Sequence, residues 1–226
     1  MKSVILFDLD GTLLYTLPSI TAAMNRTLKR FGLEAISLER VRELVGNSSR
    51  YLVEHAIKES GGSDWSKEQC EHFLDAYNAD YLSHSIEGTT PYPGAEALLD
   101  ALKEEGKQLW VYSNKPDAIA KEVVHHFFGM RFDRIRGYRE DTPRKPHPEG
   151  VYALLEESGK QAKDVLYIGD SEVDWKLAQA AGLDMLLLSY GFRREEELRK
   201  TTTATSFIAS PEELQKKLLT SACGYV

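Results

Sequence analysis

The tetrapeptide Val4-Ile5-Leu6-Phe7 is apolar at every position, carries two β-branched residues and stops abruptly at Asp8. A strand with one wet face alternates apolar and polar side chains, so an unbroken run reads as a strand covered on both faces. Asp8 then stands at the carboxyl end of that strand, in a polar turn containing Gly11. The remaining chain must supply the neighbouring strands and the helices above and below them.

It does so in two patterns. From Ile20, the positions Ala23, Met24, Thr27, Leu28 and Phe31 keep helical spacing, and Gly32 offers a stop. Residues 38–45 and 51–57 each read as amphipathic helices. Ser66, with Gln69 three positions on, is a capping-box signal for another helix that runs through Phe73, Ala76, Tyr77 and Tyr81. Residues 87–94, with Pro91 and Pro93, then break the helical pattern. Residues 15–87 are therefore expected to form an all-helical module.

Beyond it the pattern alternates: helix 95–103, strand 109–113, helix 117–127, strand 132–136, helix 149–157, strand 165–168, helix 173–181 and strand 185–188. A polar loop at 201–205 and a surface helix at 211–219 follow. Alternating βα units imply a parallel sheet covered by helices, which the first strand joins. The expected class is α/β: a parallel-sheet core from residues 1–14 and 88–226, with an inserted helical module at 15–87. At 226 residues the chain is long enough for one substantial core and a smaller module.

Composition narrows the partners. A formal charge of −7 and a pI near 5.5 argue against nucleic acid or anionic lipid. The apolar run at 4–7 is too short for a signal-peptide core or a membrane helix, and Cys70 and Cys223 lack metal-ligand spacing. A reducing cytoplasm is the expected location. An acidic chain that binds phosphate must gather positive charge locally, from a metal ion, a lysine or oriented N–H groups.

Ligands of open parallel sheets bind beyond the carboxyl ends of the strands. Four polar clusters are expected there: Asp8-Leu9-Asp10-Gly11-Thr12-Leu13, Ser113-Asn114-Lys115, Arg144-Lys145-Pro146 and Gly169-Asp170-Ser171-Glu172-Val173-Asp174. Taken singly, each has a plainer reading: aspartates as turn formers, Ser113 as a helix cap, Lys145 as a solvated charge, Asp170 and Asp174 as carboxylates at a helix start. Together they are the parts of metal-assisted phosphoryl transfer. Asp8 and Asp170 supply hard oxygen ligands for Mg²⁺, and the serine, asparagine and lysine supply donors for phosphate.

In this order the clusters resemble those of the haloacid dehalogenase superfamily, and the general form is similar to phosphoglycolate phosphatases and their relatives. The resemblance implies a Rossmann-like core with the helical module as a cap. It implies Asp8 as the nucleophile that becomes an aspartyl phosphate, and Asp10 as the acid that protonates the leaving oxygen and later activates water. It further implies Mg²⁺ held by Asp8, the Asp10 carbonyl and Asp170, with Asp174 orienting metal-bound water. Thr12, Ser113, Asn114 and Lys145 match the phosphate-binding groups, Lys145 also offsetting the charge on Asp8. Asn47, Ser48 and Arg50, in a polar loop after Gly46, are similar in place to the family's specificity loop. The expected reaction is hydrolysis of a small phosphate monoester by a monomer or dimer; a sugar phosphomutase on the same scaffold is the alternative. Many relatives carry Asp-Ser or Asp-Thr where this chain has Tyr15-Thr16.

Overall fold

The computed structural model describes residues 2–220, so Cys223 lies outside the described residues. The chain divides into two compact units, one made of residues up to Tyr15 together with those from Pro91 onward, the other of Thr16–Thr90. In chain order the strands are β1 (Val4–Phe7), β2 (Leu14–Tyr15), β3 (Thr90–Pro91), β4 (Gln108–Pro116), β5 (Arg134–Tyr138), β6 (Val165–Gly169) and β7 (Asp184–Leu187). The helices are α1 (Leu17–Arg30), α2 (Leu38–Leu44), α3 (Ser49–Glu59), α4 (Lys67–His84), α5 (Ala95–Glu104), α6 (Asp117–Phe128), α7 (Glu149–Ser158), α8 (Glu172–Ala181), α9 (Glu195–Thr201) and α10 (Pro211–Thr220).

The larger unit is an α/β fold built on a five-stranded sheet in the order β5-β4-β1-β6-β7. Every pairing in it is parallel, with Val4 opposite both Gln108 and Val165. All four residues of β1 are buried, as an unbroken apolar strand requires. Alternation along the strands sorts the core by face. Val4, Leu6, Trp110, Tyr112, Val165 and Tyr167 form one cluster with Val151 and Leu154 of α7 and with Leu177, Ala178 and Ala181 of α8. Ile5, Phe7, Leu109, Val111, Leu166 and Ile168 alternate with them and are equally buried, and α5 and α6 both pack on β4. Each such side chain removed from water contributes roughly 1.5–3 kcal/mol. From β1 the chain fills one side of the sheet with β4 and β5, then crosses to β6 and β7. The strand order therefore reverses at β1, the place where ligands of doubly wound sheets bind.

The helical unit packs α1 against α4, α2 and α3, and α3 against α4. Ala23, Met24 and Leu28 of α1 are buried, as are Leu52, Val53, Ala56 and Ile57 of α3 and Phe73, Tyr77 and Tyr81 of α4. Ser66 caps α4 in a reciprocal capping box with Gln69. Helix α1 begins at Leu17 rather than Ile20, with Pro18 in its first turn, where a missing N–H costs nothing.

Two other differences have physical reasons. Strand β5 starts two residues later than expected because Phe132 packs edge-on against Phe7 and Phe128, while the Asp133 carboxylate accepts from Leu109 N at 2.8 Å. Helix α9 was not expected, because only Leu198 is buried and no apolar stripe marks it. Its ends are held by charge: Arg194 N donates to Glu197 at 2.7 Å, and Arg199 pairs with Glu195.

Candidate active site

The ends of β1, β4 and β6 bring the sequence-selected polar residues of the larger unit together. Asp8 continues the sheet ladder, its N–H donating to Ile168 O at 2.8 Å, so its side chain is fixed at the strand mouth. The chain then turns sharply, with the amides of Leu13 and Leu14 both donating to Leu9 O. Gly11 in this turn has φ +87°, and a Cβ there would overlap the Asp170 carboxylate. Only glycine meets both conditions.

Asp170 follows β6 and is almost wholly buried. One of its oxygens accepts from Thr12 Oγ1 at 3.2 Å and the other from Phe192 N at 2.7 Å. Ser171 caps α8, and Asp174 closes the capping box by accepting from Ser171 N at 3.1 Å and Oγ at 2.5 Å. The other Asp174 oxygen accepts from Lys145 Nζ at 2.7 Å and Tyr167 OH at 2.6 Å. Four donors thus occupy the Asp174 carboxylate.

Lys145 is 5% exposed. Asn114 holds its backbone from both sides, accepting from Lys145 N at 2.8 Å and donating to Lys145 O at 3.1 Å. Its ammonium lies 2.8 Å from Asp8 Oδ1, an ion pair rather than a well-aligned hydrogen bond. Ser113 sits inside β4, and the following helix starts only at Asp117, so Ser113 is not a helix cap. Its hydroxyl accepts from Lys115 N at 3.3 Å. Asp10 is turned to Lys115, whose Nζ donates to Oδ1 at 2.8 Å.

Oxygens of Asp8, Asp170 and Asp174 all lie within 4.8 Å of one another, and all three residues are buried. The Lys145 ammonium pairs with two of these carboxylates, Asp8 and Asp174, and the Arg193 charge acts on Asp170, yet burial of all three leaves an imbalance that their proton affinities record. Burial, reinforced by the Asp174 charge and opposed by Lys145, pushes the Asp8 carboxyl up to about 7. Burial and the charges of Asp174 and Asp8 likewise push Asp170 well above the carboxylate range. Burial also works against ionised Asp174, but Lys145, Ser171 and Tyr167 outweigh it and hold that carboxyl below its ordinary value. Lys145 is raised by Asp174 and Asp8 despite its burial. The donors that remain, on Asp8 and Asp170, are hard oxygens in an electron-rich pocket. They fit a divalent cation of the Mg²⁺ kind.

Tyr167 and the Phe192 amide take part in this network without having been singled out, and Lys115, named within the Ser113-Asn114-Lys115 cluster, had been given no role of its own. Tyr167 reads as an ordinary core aromatic in a buried strand, and a backbone N–H leaves no trace in sequence. Lys115, by contrast, lies directly beside Asn114 in the polar run after β4. Asn47, Ser48 and Arg50 belong to the helical unit. Ser48 caps α3 by accepting from Tyr51 N at 3.0 Å, and Arg50 makes a two-pronged contact with Glu71 at 2.6 and 2.8 Å. Among the described residues no helix is long and apolar enough to cross a membrane.

A parallel sheet with acidic residues at its switch point defines an enzyme core, and comparison with known proteins gives its class. The family described as haloacid dehalogenase-like hydrolase matches residues 5–188. This chain belongs to that family. It is 35% identical over 200 residues to the phosphoglycolate phosphatase of Rhodospirillum rubrum, a match covering 86% of this chain and 83% of that protein. It is 36% identical over 190 residues to the phosphoglycolate phosphatase of Cereibacter sphaeroides, covering 84% and 86%. The solved structure of a candidate phosphoglycolate phosphatase from Lactobacillus delbrueckii subsp. bulgaricus superposes with a TM-score of 0.89 at 26% identity, covering 97% of this chain and 99% of that one.

Proposed function

We propose that this chain hydrolyses a small phosphate monoester of the phosphoglycolate kind through a covalent intermediate on Asp8. It is a phosphoric monoester hydrolase. The observation that carries the mechanism is a buried Asp8 carboxylate at the mouth of the central strand, 2.8 Å from the Lys145 ammonium.

In the first step an Asp8 oxygen attacks phosphorus, the bond from phosphorus to the leaving oxygen breaks, and Asp10 gives that oxygen its proton. In the second, Asp10 takes a proton from water, whose oxygen displaces Asp8 from phosphorus. Ser113, Asn114, Thr12 and Lys145 orient the phosphoryl group and offset its charge. Asp8, the Asp10 carbonyl and Asp170 would hold Mg²⁺, which supplies charge neutralisation at the phosphoryl oxygens. With four donors already on its carboxylate, Asp174 is better suited to holding Lys145 in place than to binding the ion.

The helical unit acts as the cap that limits bulk water, and Asn47, Ser48 and Arg50 contribute to substrate choice. Small phosphate esters of the cytoplasm are the substrate class. The test is Asp8→Asn: it abolishes phosphate release with Mg²⁺, and borohydride reduction during wild-type turnover converts residue 8 to homoserine. Wild-type phosphate release by folded Asp8→Asn protein overturns the mechanism. A panel of phosphoglycolate, sugar phosphates and nucleotides, scored for free phosphate and for isomerised sugar, fixes the substrate and separates hydrolase from mutase.

A further inference from the structure

Asp10 stands apart from the carboxylate cluster, paired with Lys115 at 2.8 Å. The lysine side chain is 2% exposed, whereas the Asp10 side chain keeps 20% of its surface open. Burying a four-carbon amine costs rotamer entropy and most of its hydration. A buried ion pair seldom repays that cost in stability, since apolar residues of similar volume serve as well. The main chain at this point is also fixed. The Lys115 amide bonds to Ser113 Oγ, and its carbonyl lies so close to Gly137 of β5 that a Cβ there would approach to 2.7 Å. The sheet therefore delivers this ammonium to Asp10 along a defined path, at the end of the strand that carries the phosphate donors.

We propose that Lys115 is a positioning residue for proton transfer by Asp10. The inference rests on the reading of Asp10 as the acid–base group. With Oδ1 held by the ammonium, the carboxyl group cannot rotate freely. As Asp10 passes its proton to the leaving oxygen, negative charge grows on its carboxylate, 2.8 Å from a fixed positive charge. At the same moment the phosphorus–oxygen bond to the leaving group breaks and the bond from Asp8 to phosphorus forms. The ion pair is thus strongest when the proton has left, a differential interaction that lowers the barrier of that step.

The experiment exploits leaving groups. An alkyl phosphate such as phosphoglycolate needs a proton on its departing oxygen, whereas p-nitrophenolate departs without one. In Lys115→Met, kcat/KM for the alkyl ester should fall roughly 10²-fold further than kcat/KM for p-nitrophenyl phosphate, within the span of general-acid effects. Equal losses on both substrates mark a merely structural lysine and overturn the proposal. Asp10→Asn, measured alongside, should show the same selectivity. If Asp10→Asn is selective and Lys115→Met is not, the inference alone fails; if Asp10→Asn is not selective, the acid–base reading fails and takes the inference with it. The double variant Lys115→Met/Asp10→Asn leaves neither charge unpaired, so it keeps the test open even if the single lysine variant does not fold. Its kcat/KM for the alkyl ester should match that of Asp10→Asn alone, and a further loss equal to that of Lys115→Met overturns the proposal.

Discussion

Asp170→Asn should make the metal-free protein more stable while destroying its activity. The carboxylate it removes lies within 4.8 Å of both Asp8 and Asp174. At an effective dielectric constant of about 20, each pair of unit charges at that distance repels by roughly 3.5 kcal/mol. Lys145 offsets part of this, and the wild-type protein can relieve the rest only by taking up protons, which itself costs free energy near neutral pH. Asparagine does neither. It can keep the Phe192 N–H bonded through its carbonyl and offer its amide to Thr12 Oγ1. A net gain of about 2 kcal/mol is expected, which for a chain of this size is a rise in Tm of roughly 4–8 °C.

The assay is thermal unfolding of both proteins at pH 8 with a chelator and again with saturating Mg²⁺. With the ion at a hundred times its Kd, the wild-type protein gains about 2.7 kcal/mol and the variant little, so the order of stabilities reverses. The pH dependence has a definite sign. The Asp8 carboxyl rises from 3.8 to about 7 on folding, so the folded chain binds more protons than the unfolded one between those values. Metal-free stability therefore increases as pH falls from about 7 toward about 4 in both proteins, and the advantage of the variant shrinks as Asp170, held well above the carboxylate range by burial and by Asp174 and Asp8, takes up its own proton. A metal-free Asp170→Asn protein that melts at or below the wild-type temperature at pH 8 refutes the electrostatic reasoning.

Two further perturbations follow from the same geometry. Lys145→Met leaves Asp8 and Asp174 buried without their cation, so urea unfolding of the metal-free protein should show a loss of about 3–5 kcal/mol, and phosphate release should fall by at least ~10²-fold even with Mg²⁺. Gly11→Ala drives a methyl group into the Asp170 carboxylate and strains a backbone at φ +87°; steady-state assay should show kcat/KM down about 10²-fold, and a variant with wild-type kinetics would mean that the turn tolerates displacement.

Much of the fold was legible because burial leaves periodic traces. The unbroken run at β1, the βα alternation after Pro93 and the Ser66–Gln69 capping signal each have a single economical structural reading. Helix α9 was not legible, since its stability comes from ion pairs and one buried leucine rather than from an apolar stripe. At the site, Asp8, Ser113, Asn114 and Asp170 follow apolar strand runs and Lys145 sits in a polar loop; each has a plainer reading alone, and it was their order along the chain that marked them as one site. What stayed hidden was of two kinds. Tyr167 does its polar work through one hydroxyl at the tip of a core side chain, and the Phe192 amide acts through the backbone, for which no residue code exists. The role of Asp10's partner was equally unreadable, because charge pairing across 105 positions is decided by the sheet and not by neighbours in sequence.

The central strand also sets the order of assembly. Val4–Phe7 is the opening strand of the chain, yet both of its partners in the sheet, Gln108–Pro116 and Val165–Gly169, lie about a hundred residues or more downstream. On a growing polypeptide it is an apolar ribbon without a partner until Gln108–Pro116 has been made, and half-paired until Val165–Gly169 follows, while Thr16–Thr90 can already collapse by local helix contacts. Asp8, whose N–H bonds to Ile168 O of β6, thus reaches its final setting only after that strand has been made. Any lesion that delays β6 leaves one edge of those four apolar residues open.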